Sequence, residues 1–185
     1  MLSGLLYWLS PSRRRFISRV ARPGLDRIGA RLKDVGSPGA VGFVSTLLNA
    51  NADFLAYALA CGGPLTAFAD LATPEKVASC MRSMLLYSVN LFARAEMAGN
   101  DSELIGLLAH IMEIAPDRVM LMRDSLRKAP RSEEWLLLTW IAKDLGAEAP
   151  KYNADLERAF GYNYLSYIDQ FRPALAREAP SSESN

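Results

Sequence analysis

The chain is 185 residues long, half of them apolar and 22% charged, which allows one compact domain with a real core and excludes a disordered or low-complexity chain. Net charge is only +1, but residues 1–35 hold eight cations against Asp26 and Asp34, so this stretch carries +6 and the remainder −5. Such a division presents a basic segment to something anionic: lipid, nucleic acid, an acidic partner, or the acidic remainder of the same chain.

The first sixteen residues, MLSGLLYWLSPSRRRF, set an apolar run ahead of three arginines. An export signal has its charges first and a small-residue cleavage site after, and neither is present. The run of Leu5 to Leu9 is far below the roughly 20 residues that a span needs. The expectation is interfacial: Leu2, Leu5, Leu6, Tyr7, Trp8 and Leu9 enter a membrane interface or an apolar groove on a partner, and Arg13, Arg14, Arg15, Arg19 and Arg22 meet anionic headgroups. Pro11, Pro23 and the turn residues GSPG at 36–39 punctuate this part into short pieces. Between Pro23 and Gly36, Leu25, Ile28, Leu32 and Val35 share one face, with Asp26, Arg27, Arg31 and Lys33 mostly off it, predicting a basic amphipathic helix.

Ser37 and Pro38 form a cap and first-turn pair for a helix that runs to Cys61, where Gly62, Gly63 and Pro64 stop it. Ser45, Thr46, Asn49, Asn51 and Asp53 in its middle argue for a protein core rather than lipid around it. Ser45, Asn49 and Asp53 recur at i, i+4 and i+8, with Tyr57 continuing the face. Buried, they make a polar network that fixes helix register, with Arg82 or Arg94 as partner to the carboxylate; exposed, they are a solvated stripe; a ligand pocket is the third reading.

A short turn at 65–71 leads to a helix capped by Thr73 and Pro74 and closed by Gly99. Further helices follow from about Asp101 to Pro116, from Pro116 to Pro130, and from the Ser132 cap through WLLLTWIAKDL to Gly146. Two last helices are predicted, Asn153 to Phe160 and Tyr162 to Glu178, with Pro173 kinking or splitting the second. The expected fold is therefore all-α, an irregular multi-helix bundle of about eight to ten helices. Residues 1–36 form the basic amphipathic segment, 37–178 the bundle, and 179–185 a tail that frays.

Motifs that carry chemistry are absent from the sequence: no G-x-S-x-G, H-E-x-x-H, P-loop or G-x-G-x-x-G occurs. His110 is the sole histidine and excludes most triads; with Glu103 and Glu113 it reads as a solvated helix face, since a di-iron bundle needs Glu-x-x-His twice and here the order is reversed. Met81, Met84, Met97, Met112, Met120 and Met122 read as core filler, with an adaptable groove for an apolar partner as the second reading, and Phe160, Tyr164, Tyr167 and Phe171 as a buried seam or a partner-binding face. Cys61 and Cys80 read as free buried thiols, which points to a reducing, cytoplasmic compartment; membrane association is expected from the N-terminal segment and not from the cysteines.

No cofactor is implied. The function expected is that of a non-catalytic interaction or adaptor protein touching a membrane or a partner's groove through its N-terminal segment. Its alternatives are a protein that binds a lipid or small apolar ligand and, behind that, a carboxylate-based enzyme or a nucleic-acid binder. The expected partners are a protein, an anionic membrane surface, or a second copy of the chain. Nucleic acid is disfavoured by the acidic body and the lack of a helix-turn-helix pattern.

Overall fold

The computed structural model describes residues 11–32, 35–60, 63–96 and 101–178, leaving aside the side chains of residues 12, 13, 93–96 and 178. The expectations for Leu2, Leu5, Leu6, Tyr7, Trp8, Leu9, Lys33, Cys61, Met97, the helix end at Gly99 and the tail lie outside the described residues, and those for Arg13 and Arg94 concern side chains outside the described ones. The described elements are helical, with no strand among them. The all-α multi-helix fold is thus as expected.

The first stretch is one run built of four pieces: α1 (Pro11–Phe16), a π turn (Ile17–Ala21), α2 (Arg22–Gly29) and a 3-10 turn (Ala30–Leu32). Pro23 does not break it, contrary to the sequence expectation. A proline inside an α-helix lacks an N–H and its ring presses on the carbonyl four residues back. Here the widened turn precedes the proline, with the Arg22 N–H bonding the Ile17 carbonyl five residues back, and Pro23 falls in the first turn of α2.

Helix α3 (Pro38–Ala60) is capped by the Ser37 hydroxyl, which accepts from the Ala40 N–H at 3.3 Å, while Glu103 accepts from the Ser37 N–H at 2.6 Å. A 3-10 turn (Thr66–Leu71) leads to α4 (Pro74–Glu96), where Thr73 accepts from the Lys76 N–H at 3.4 Å. Then come α5 (Asp101–Met112), α6 (Pro116–Arg127) and α7 (Glu133–Asp144), the last capped by Ser132 on the Trp135 N–H at 3.0 Å.

The C-terminal boundaries differ from expectation. Helix α8 runs unbroken over Ala154–Ile168, a 3-10 turn (Asp169–Phe171) follows, and α9 spans Arg172–Glu178. Gly161 does not end a helix. It is buried, and a Cβ placed there would lie 3.2 Å from Cγ of Glu134, so the glycine serves the close approach of α7. The break falls at Pro173, which opens α9 in its first turn.

Helix α4 is the centre of the packing, touched by α2, α3, α5, α6 and α7. Val77, Cys80, Met81, Met84, Leu85, Leu86, Val89 and Phe92 are all buried along it, so it is apolar over most of its circumference. The N-terminal run joins the same core through Ala21, Ile28 and Leu32. Its position is fixed at Gly24, where an added Cβ would stand 3.0 Å from the Pro74 carbonyl oxygen and 3.3 Å from the Ala78 nitrogen. That contact draws α2 onto α4.

Candidate functional site

The N-terminal run presents two chemically distinct flanks. Phe16, Val20 and Leu25 pack half-buried beside Ala21, Ile28 and Leu32, so the apolar flank is spent on the bundle. The opposite flank exposes Arg14, Arg15, Arg19 and Arg22, and none of these guanidinium groups has an ion-pair or hydrogen-bond partner among the described residues. The arginines further on behave differently. Arg27 pairs with Glu75 at 2.8 Å, and Arg31 pairs with Glu113, whose other carboxylate oxygen takes Arg82 at 3.3 Å. Docking on the acidic body therefore accounts for Arg27 and Arg31 and leaves four arginines to solvent.

Glu113 holds this clasp from a left-handed backbone position, φ 58°, just past the end of α5. The Ile114 N–H closes back on the Ala109 carbonyl at 3.1 Å, a helix terminus that ordinarily carries glycine at the turning residue. The tail of the basic run is thus fastened to α4 and α5 through one carboxylate.

The stripe on α3 is placed differently from the buried-network expectation. Asn49 is exposed and donates to the Ser45 carbonyl at 2.8 Å, while Ser45, Asp53 and Tyr57 are half-buried. Asp53 accepts from the Tyr167 hydroxyl on α8, and Arg82, offered by the sequence as its partner, is turned to Glu113. The buried polar network exists, but on other residues. Asn51 donates to the Ser88 hydroxyl at 3.0 Å and accepts from the Tyr164 hydroxyl at 2.6 Å, and all three residues are inaccessible to solvent. Burial pushes the Tyr164 phenol well above its ordinary value. The signal was present in the spacing: Asn51 shares its arc of the helix with Leu47, Phe54, Leu55 and Ala58, all buried.

A second node that the sequence reading missed ties three helices. Arg123 on α6, with a side chain only 7% exposed, donates to Asp101 at 2.7 Å and to the Asn90 side-chain oxygen at 3.4 Å. The aromatic series forms a seam, as one of its two readings had it: Phe160 and Tyr164 are fully buried and meet Phe54 edge-on, and Tyr167 and Phe171 pack half-buried beside them. Met81 and Met84 are core, whereas Met120 is exposed with Leu121 on α6.

Beside the arginine stripe, a groove runs between the N-terminal run and α3. Its larger part, about 830 Å³, lies among Leu25, Gly29, Leu32, Val35, Val41 and Leu48. Its smaller part, about 300 Å³, lies among Ile17, Ala21, Arg22, Ala52 and Asp53, and Leu25 and Asn49 line both. α2 meets α4 closely at Gly24, and the groove opens on the side that faces α3.

Among the described residues, no group of three or more His, Cys, Asp or Glu is placed to hold a metal ion. His110 is exposed, and the carboxylates that flank it in sequence are engaged elsewhere, Glu103 on the Ser37 N–H and Glu113 on its two arginines. Cys80 is buried against the Ile141 carbonyl, and burial pushes its thiol far from the range of a reactive thiolate. Asp144 receives the Ser79 and Ser83 hydroxyls at 3.0 and 2.7 Å, and burial still raises its pKa. No described helix is long and apolar enough to cross a membrane. No protein-family model, curated protein or solved structure matches the chain, so its functional reading rests on this geometry.

Proposed function

We propose that the protein is a non-catalytic helical interaction protein that makes peripheral contact with an anionic membrane surface through its N-terminal segment. The observation that carries the reading is the stripe of Arg14, Arg15, Arg19 and Arg22, exposed and without ion-pair partners among the described residues. A cation near an anionic bilayer contributes on the order of 1 kcal/mol, so four on one flank suffice for reversible attachment. The apolar flank of the same run is packed on the bundle, so this run contributes charge, and insertion falls to Leu2, Leu5, Leu6, Tyr7, Trp8 and Leu9. Charge and apolar anchorage together are the two signals that stable peripheral binding needs.

Sedimentation with vesicles tests it. The full chain is expected to pellet with phosphatidylcholine vesicles containing phosphatidylserine, and less so in high salt or without the anionic lipid. Replacing the four arginines by glutamate should abolish pelleting with the fold intact, since no described contact is lost. Removing residues 1–10 should weaken it. Equal pelleting of the glutamate variant, or none by the native chain, refutes the reading.

A further inference from the structure

The groove between the N-terminal run and α3 has a lining that selects among occupants. Its charged groups are Asp26, Asp53 and Arg22, two carboxylates to one guanidinium, the wrong balance for an anionic lipid headgroup. The remainder is mostly apolar or small, suited to an uncharged apolar chain. Residues 1–10, MLSGLLYWLS, are such a chain: no charged side chain and six large apolar or aromatic ones after the first methionine. They join the described structure at Pro11, whose helix lies on α3. Ile17, at the near end of the groove, is six residues further on, about 9 Å along a helix axis. Ten residues reach at most about 33 Å, so this end and the shared wall at Asn49 are within range. Tethering by a short connection puts the segment at an effective concentration of order millimolar.

We propose that residues 1–10 dock into this groove of their own chain when no membrane is present, so that groove and bilayer compete for the same side chains. The competition rests on the peripheral-contact reading; the docking itself does not. Releasing the segment exposes its apolar residues only where an interface is available to take them.

The experiment uses the full chain with Trp135 and Trp140 replaced by phenylalanine, leaving Trp8 as the only tryptophan, and Cys61 replaced by serine. A nitroxide on Asn49→Cys should quench Trp8 fluorescence in the absence of vesicles, while one on Ser125→Cys, on the exposed side of α6, should not. Vesicles containing phosphatidylserine should relieve the quenching. Asn49→Phe, without the label, plugs both parts of the groove from an exposed position. It should shift Trp8 emission to the red and, if nine molecules in ten are docked at rest, tighten vesicle binding about tenfold. Trp8 that is solvent-exposed and unquenched without vesicles overturns the proposal. So does a plug that weakens vesicle binding, the mark of a groove that takes an acyl chain. Quenching of unlabelled chains by labelled chains carrying Trp8→Phe also overturns it, because the occupant is then a second copy. Quenching at rest with no vesicle binding by any variant upholds the docking and refutes the peripheral reading.

Discussion

Replacing Glu113 separates two opposed contributions at one residue. Its carboxylate bridges Arg31 and Arg82, whose side chains are 36% and 25% exposed against 50% for Glu113, so each pair is partly screened and contributes about 0.5–1 kcal/mol. Its backbone at φ 58° costs a non-glycine residue about 1 kcal/mol. Glu113→Gln keeps the backbone cost and loses both pairs, and is expected to destabilise by about 1–2 kcal/mol. Glu113→Gly loses the same pairs and regains the backbone term, and should fall within about 1 kcal/mol of the native protein. Urea melts give the free energies, and thermal melts should separate the two variants by about 2–4 °C for a chain of this size. In 1 M salt the glutamine penalty should shrink as the pairs are screened, while the gap between glutamine and glycine persists. A glycine variant no more stable than the glutamine one refutes the argument that the turn is strained.

Two further substitutions probe the interior. Tyr164→Phe removes the donor to the Asn51 oxygen in a fully buried site and should cost about 1–3 kcal/mol by urea melt, part of which is recovered when Asn51→Leu is added; a double variant less stable than either single one counts against the network. Burial raises the pKa of Asp144 above its ordinary 3.8 despite the Ser79 and Ser83 hydrogen bonds, so its folded-state pKa exceeds the unfolded one. Its contribution is then fully present below the unfolded pKa and lost as pH rises through the raised value. Asp144→Asn should therefore gain on the native protein between pH 4 and pH 7 in parallel melts, and a gap that is flat or reversed over that range excludes the assignment.

The helix ends were legible because they are local chemistry. Ser37 before Pro38, Thr73 before Pro74 and Ser132 before two glutamates each offer an oxygen to a free backbone N–H within three residues, and the structure makes those bonds. Gly161 misled because a glycine in a helix marks either an end or a close approach, and only the position of Glu134 on α7 decides between them. The polar residues of α3 misled as well. The recurrence of Ser45, Asn49 and Asp53 drew attention to the wrong arc, although the large apolar residues Leu47, Phe54 and Leu55 around Asn51 mark the arc that faces inward. Glu113 was illegible in the turn itself, because glutamate is a poor choice at φ 58° and only Arg31 and Arg82, distant in sequence, explain it. For the candidate site, the eight cations were visible in the sequence, and which of them remain unpaired was not.

The π turn at Ile17–Ala21 sets the phase of the whole N-terminal run. A π turn holds one residue more than the α turn it replaces, and one residue of α-helix is worth about 100° of rotation. Gly24, Ile28 and Leu32 are pinned to the bundle, so a turn that tightened to α while keeping the extra residue would rotate everything upstream by about 100°, whereas deleting that residue would leave the upstream phase unchanged. Loss of Ser18 alone would therefore close the turn to α, keep the net charge of the segment, and leave Arg14, Arg15 and Phe16 facing as they do now. Two chains of equal length and equal charge, differing only in whether this turn is wide or tight, would thus offer a surface two different arrangements of the same cations.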